Sequence, residues 1–167
     1  VRTMGGADQD VAFWAKVDGN GDVAVTGYFH GSPTFSNSTQ SLVSSGNSDI
    51  WVAKYGSNGN LIWSVGAGGN SYDYGHCLTI GANNSVIISG EYKTTATFGS
   101  TSLTNSGNES NGFIAKLSNA GGWQWAKEMG GVGADAAYAV EVDATDNYYV
   151  VGSFSNSATF GIDVLSS

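Results

Sequence analysis

The sequence predicts an all-β chain, a partial β-propeller of about 2.7 four-stranded blades, on three observations. A 25-residue block occurs nearly three times, at Gly5–Phe29, Gly68–Tyr92 and Gly130–Phe154, and offsets of 63 and 62 residues superpose the copies without a gap. Each period holds strand-like runs separated by turns rich in Gly, Asn and Asp. Several runs are apolar on both faces, as in Val86-Ile87-Ile88 and Ile50-Trp51-Val52-Ala53. A sheet buried on one face would alternate; burial on both is what radially stacked blades require.

The elements follow in order. The first strand is expected at Val11–Val17, Tyr74–Ile80 and Ala136–Val142. Turns follow at Asp18-Gly-Asn-Gly, Gly81-Ala-Asn-Asn and Asp143-Ala-Thr-Asp, residue types that tolerate positive φ. The second strand is expected at Val23–Phe29, Val86–Tyr92 and Tyr148–Phe154. Gly27, Gly90 and Gly152 occupy one position inside it, which predicts a bulge or the close approach of another backbone. A polar loop is expected next, carrying Thr34-Phe35, Thr97-Phe98 and Thr159-Phe160. The third strand is Ile50–Tyr55 and Gly112–Leu117, and the fourth is Leu61–Val65 and Trp123–Lys127, with Trp63 and Trp125 in register. On this reading residues 1–63, 64–125 and 126–167 are two blades and part of a third within one propeller domain. Val1–Met4 aligns with Ser64–Ala67, and Ser167 precedes any equivalent of Asp49–Tyr55, so both ends are expected to be cut from a longer array.

Composition narrows the function. Charged residues are only 12% of the chain and the formal net charge is −8, with six scattered Lys and Arg. Nucleic-acid binding needs clustered basic charge, and so does an anionic membrane surface; neither partner is expected. No apolar run is long enough to span a bilayer. Cys77 is alone, so no intrachain disulfide forms, which fits the cytosol and secreted repeat proteins equally. No signal peptide is visible at Val1. The Asn-X-Ser/Thr triplets at Asn37, Asn83 and Asn108 are compatible with an exterior location and carry no further weight.

The copies resemble bacterial β-propeller repeats of secreted and surface proteins, seven-bladed-propeller-type repeats of about 60 residues and Bacteroidetes-like. The matching residues are Asp49–Tyr55, Asn58-Gly59-Asn60, Trp63, Gly68-Gly69, Asp73-Tyr74-Gly75, Ser89–Tyr92 and Thr97-Phe98-Gly99. The resemblance implies architecture and an exported, extracellular or cell-surface location; it implies no reaction. Lys54–Trp63 is also similar to the tryptophan-docking strand pair of quinoprotein-type propellers, a shared packing solution that implies no quinone cofactor.

Candidate sites divide between chemistry and scaffolding. Asp18, Asn20 and Asp22 have the alternate spacing of a Ca²⁺ loop, but Gly81–Ser85 and Asp143–Asn147 do not repeat it, so a hairpin turn is favoured. Asp10, Asp73 and Asp135 recur before each first strand; a cation-binding ring of carboxylates is weighed against capping of loop N–H groups, and capping is preferred. His30 and His76 do not align and lack neighbouring ligands at metal spacing. Cys77 aligns with Trp14 and Ala139, a packing position. Trp51, Trp63, Trp123 and Trp125 sit at recurring strand positions, which favours blade packing over sugar stacking. Trp14, Tyr28 and Tyr149 are not matched by aromatics in every copy and are the candidates for a ligand surface.

The expected function is therefore a non-enzymatic interaction module of a larger exported propeller protein, adhesin-like or a secretion-system cargo. No catalytic, cofactor or metal site is expected. Its expected partners are the remaining blades or other protein subunits, with glycans as the alternative.

Overall fold

The computed structural model describes residues 2–166 and contains sixteen strands and one short 3₁₀ turn at Ala82–Asn84. The strands are β1 (Met4–Gly5), β2 (Asp10–Val17), β3 (Val23–Phe29), β4 (Thr34–Phe35), β5 (Asp49–Tyr55), β6 (Leu61–Ala67), β7 (Asp73–Ile80) and β8 (Val86–Lys93). They continue as β9 (Thr95–Phe98), β10 (Thr101–Thr104), β11 (Ser110–Leu117), β12 (Trp123–Gly131), β13 (Ala136–Val142), β14 (Tyr148–Ser153), β15 (Ser157–Phe160) and β16 (Asp163–Ser166).

Two antiparallel meanders form blades, β2-β3-β5-β6 and β7-β8-β11-β12, and β13-β14 begins a third. The first strands β2, β7 and β13 adjoin one another, as the inner strands of neighbouring blades do. The all-β, partial-propeller reading is the observed architecture.

The second blade shows why its strands are apolar on both faces. Val86, Ile88, Phe113 and Ala115 pack with Ile50 and Val52 of the first blade in one cluster. Ile87 and Ile114 lie in another, with Cys77 and Val140 of the third sheet. With a side-chain period of two, neighbouring residues serve opposite cores. Each such side chain contributes about 1.5–3 kcal/mol when fully buried.

The interior glycines do what their position predicted. β2, β7 and β13 each carry a β-bulge, at Ala12/Trp14, Gly75/Cys77 and Ala137/Ala139. Opposite them, a Cβ on Gly27 would lie 1.9 Å from the Val11 carbonyl oxygen, and one on Gly90 1.9 Å from that of Tyr74.

The polar loop after each second strand is the element that departs from expectation. In the second repeat it folds into the hairpin β9–β10, and in the third into β15–β16. Each loop also pairs with the end of a fourth strand: Met4 with Phe35, Gly68 with Thr97, and Met129 with Phe160. The Ser/Thr-rich composition hides this, because the strands are only four residues long and their buried apolar positions, Ala96, Phe98 and Leu103 in the second repeat, are few. The Gly-Gly pair fits the same joint. A Cβ on Gly69 would meet the Thr95 carbonyl oxygen at 1.9 Å, and one on Gly131 that of Ser157 at 1.9 Å. Strand ends also shift: the third strand starts earlier than expected, at Asp49 and Ser110, and the fourth runs on to Ala67 and Gly131.

Candidate functional site

Where the inner strands meet, the repeats bring equivalent positions together. Lys16, Thr79 and Glu141 occupy one repeat position, and Glu141 accepts from Lys16 Nζ at 2.8 Å and from Thr79 Oγ1 at 2.8 Å. These hydrogen bonds hold the Glu141 carboxyl below the ordinary carboxylate range. A contact between residues 16 and 141 ties the first sheet to the third across the second.

The Asp18–Asp22 loop is a turn held from within. Asp18 Oδ1 accepts the N–H groups of Asn20 at 2.8 Å and Asp22 at 3.0 Å. Its other oxygen takes the ammonium of Lys54, a side chain only 1% exposed that also donates to Asn119 Oδ1 of the next blade. Lys54 thus occupies the position a bound cation would take. The equivalent Lys116 faces Gly81 in place of an aspartate, and reaches forward to Asp146 at 3.0 Å and Tyr148 at 2.8 Å. Among the described residues no group of three or more His, Cys, Asp or Glu side chains could hold a metal ion.

The recurring aspartates lie under their loops. Asp73 accepts from Gly69 N at 2.8 Å and Lys93 N at 3.2 Å. Asp135 accepts from Gly131 N at 2.8 Å and Ser155 N at 3.0 Å, and Asp10 from Gly6 N at 2.7 Å. One carboxylate clamps both the Gly-Gly joint and the end of the second strand in the second and third repeats.

Burial pushes the Asp73 carboxyl up to about 7, with the nearby Asp49 adding to the rise against the two N–H donors. Burial raises Asp49 as well. A folded value above the unfolded one of 3.8 means the folded chain holds the proton more tightly. This contribution is complete below about pH 4 and is lost as pH rises through about 7. The urea midpoint is therefore expected to fall between pH 5 and pH 8, by on the order of 2 kcal/mol of stability. Asp73→Asn should flatten that slope; an unchanged slope in the variant would assign it elsewhere.

Of the expected ligand-surface residues, the structure separates three. Tyr28 joins a cluster of rings, meeting Phe13 at 5.6 Å, His30 at 5.7 Å and Tyr74 at 4.8 Å between centroids. Trp14 is half-exposed on β2 and Tyr149 is exposed on β14 with its hydroxyl on Asp143. No ring contact joins either to the Tyr28 cluster among the described residues. His30 and His76 both belong to that cluster, and His76 approaches Glu91 at 3.5 Å. Burial alone would raise the Glu91 carboxyl, but His76 and Ser110 bring it below its ordinary value. Cys77 is buried, and burial raises its thiol, which disfavours the reactive thiolate.

Sequence reasoning did not single out Phe13 or Tyr138. With His76 they are the residues that bulge from β2, β7 and β13, one per sheet at one repeat position. Their rings form a row, Phe13 to His76 at 5.7 Å and His76 to Tyr138 at 5.7 Å. The signal lay in the glycine opposite each, which marks the bulge without saying which side chain it turns out.

The other four tryptophans serve packing. Trp63 lies over the Ser118–Gly122 turn of the next blade, and its indole N–H donates to the Asn119 carbonyl at 2.9 Å. A Cβ on Gly121 would come within 2.7 Å of that ring. Trp51 donates to the Val11 carbonyl at 3.0 Å, and Trp123 meets Phe98 edge-on at 5.1 Å. Trp125 contacts Tyr148 of the third sheet at 5.5 Å.

No known protein-family profile matches the chain. Among curated proteins it is similar to an uncharacterized WD repeat-containing protein of Acanthamoeba polyphaga mimivirus, 25% identical over 155 residues. The match covers 84% of this chain and 11% of that protein, so the chain spans about a tenth of the relative's length. The similarity accords with a propeller-type repeat chain.

Proposed function

We propose that the chain is a non-enzymatic interaction module, a segment of a larger exported β-propeller protein of the bacterial surface type. The observation that carries the reading is how the recurring polar residues are used. Asp10, Asp73 and Asp135 clamp loop backbone, while Lys54 and Lys116 tie one blade to the next. Chemistry that recurs in every repeat serves the framework, which leaves the non-repeating surface for recognition. The similarity to a WD repeat-containing protein supports a protein-interaction role. The resemblance carried by the repeat residues from Asp49 to Gly99 supports the exterior location.

The third sheet offers a surface for other protein. Among the described residues β14 pairs only with β13, whereas its equivalents β3 and β8 pair on both sides. On β14, Tyr149 and Val151 are exposed. Open strand edges and apolar faces associate. The test is light scattering of the purified chain over a concentration series, beside a Val151→Lys variant. A discrete oligomer that becomes monomeric in the variant is the expected result. A well-folded monomer at every concentration would sink the idea that this surface completes itself on other protein. Surface labelling of intact source cells tests the location: a chain found only inside them removes the exported reading.

A further inference from the structure

We propose that the ring row at the bulges is a binding platform for a neutral saccharide chain. Three β-bulges, each set opposite a glycine, add one aromatic side chain per sheet at the same height, and the additions touch to form Phe13–His76–Tyr138. Tyr28, Tyr74 and Tyr72 widen the row, with Tyr74 lying 6.2 Å from His76 and 6.4 Å from Tyr72. Rings recruited for packing are covered, as Phe29, Phe98 and Phe113 are. Here Phe13 is 44%, Tyr72 46% and Tyr138 54% exposed, with the half-buried His76 between Phe13 and Tyr138 keeping 19% of its side chain exposed. A row of touching aromatic rings whose flanking members are exposed marks a binding site.

The polar groups select the ligand class. Tyr138 and Ser153 share a hydrogen bond of 3.2 Å at one end of the row, and tyrosine hydroxyls lie along it, so uncharged donors and acceptors accompany the rings. An anionic ligand would meet the Glu91 carboxylate, which already faces the nearest imidazole, His76. Lys16 is taken by Glu141, and the cation–π contacts lie elsewhere, at Tyr148 and Trp125. A cationic ligand would find ring faces but no free carboxylate to add a charge contact, because one Glu91 oxygen faces His76 and the other accepts from Ser110 at 3.0 Å. A sugar answers both conditions: its C–H faces lie on aromatic rings, and its hydroxyls exchange hydrogen bonds with neutral groups. The length of the row, one ring in each of three sheets, suits several consecutive residues of an extended saccharide rather than a single terminal one.

This inference goes beyond the interaction-module reading and is decided by a separate measurement. The purified chain is titrated calorimetrically with cellohexaose, xylohexaose, mannohexaose and maltohexaose, and with a hexa-arginine peptide. Saturable binding of at least one sugar is expected. It should weaken about tenfold in Phe13→Ala and in Tyr138→Ala, the change that 1.4 kcal/mol of lost stacking corresponds to. Ile62→Ala, an exposed apolar side chain on β6 outside the row, should bind as the parent does. Matching urea midpoints confirm that the variants are folded, as expected for substitutions at exposed side chains. The proposal is overturned by a folded parent chain that binds none of the four sugars at millimolar concentration. Equal binding by the row variants, or preference for the peptide, overturns it too.

Discussion

Gly90→Ala is expected to destabilise the chain by about 3 kcal/mol or more, the upper end of what an added methyl costs in a packed core. The new Cβ would lie 1.9 Å from the Tyr74 carbonyl oxygen, and 2.8 Å and 3.0 Å from two atoms of the Phe113 ring. Neither neighbour has room to give. The carbonyl belongs to the bulged strand β7, whose register is fixed on both sides of the bulge. Phe113 is fully buried and packed against Phe98 at 4.9 Å between ring centroids. Gly161→Ala is the internal comparison. That glycine has a φ of +68°, and an added methyl would have nothing within 4 Å of it, so only the left-handed conformation counts against alanine. Its expected cost is about 1 kcal/mol. Urea unfolding of both variants checks the pair, and equal costs would show that the close approach at the bulge is not the constraint.

Lys54→Met is expected to cost about 3–5 kcal/mol, because it strands a buried carboxylate. The Lys54 and Asp18 side chains are 1% and 0% exposed, and the same ammonium reaches Asn119 on the next blade. Asp18 sits below its ordinary value: burial pushes it upward, but the Lys54 hydrogen bond and the Asn20 and Asp22 N–H groups outweigh that. Without the lysine only the burial and the two N–H groups remain. The double variant Lys54→Met/Asp18→Asn should recover most of the loss, since it removes the unpaired charge while keeping an oxygen for the turn. Lys116→Met, at a pair whose side chains are 14% and 35% exposed, should cost no more than about 1 kcal/mol. Chemical denaturation of the four proteins decides the matter. A double variant no more stable than Lys54→Met would mean that the lysine acts through its packing rather than its charge.

The strands and their order were legible because a repeat repeats its reasons. An apolar run such as Ile50–Ala53, a Gly-Asn turn and an interior glycine each recur at one spacing, and each has a local physical cause. The same held for the clamp at Asp10, Asp73 and Asp135, whose invariance across copies argued for framework. The hairpins β9–β10 and β15–β16 were not legible. Thr95–Phe98 alternates Thr with the buried Ala96 and Phe98, but each strand is only four residues long and sits in a Ser/Thr-rich stretch that reads as a polar loop. The reach of Lys116 to Asp146 was hidden as well, since the partner belongs to the following repeat and replaces an aspartate lost at Gly81.

The aromatic row shows where the boundary falls. Tyr28 stood out in the sequence as an aromatic unmatched in the other copies, and Gly27, Gly90 and Gly152 announced a local irregularity. Which side chain a bulge expels depends on the register of both flanking ladders, a relation between strands. That register turned out Phe13, His76 and Tyr138 and left Trp14 outside the row. The all-β class, the blade period, the turns and the glycine positions could be read from residue order, because backbone preference and two-sided burial act within one repeat. The joints between blades, the partners of the buried lysines and the exposed ring row emerged only once the sheets were stacked. Each of those is a contact between repeats, and the stacking of one sheet on the next sets its distances.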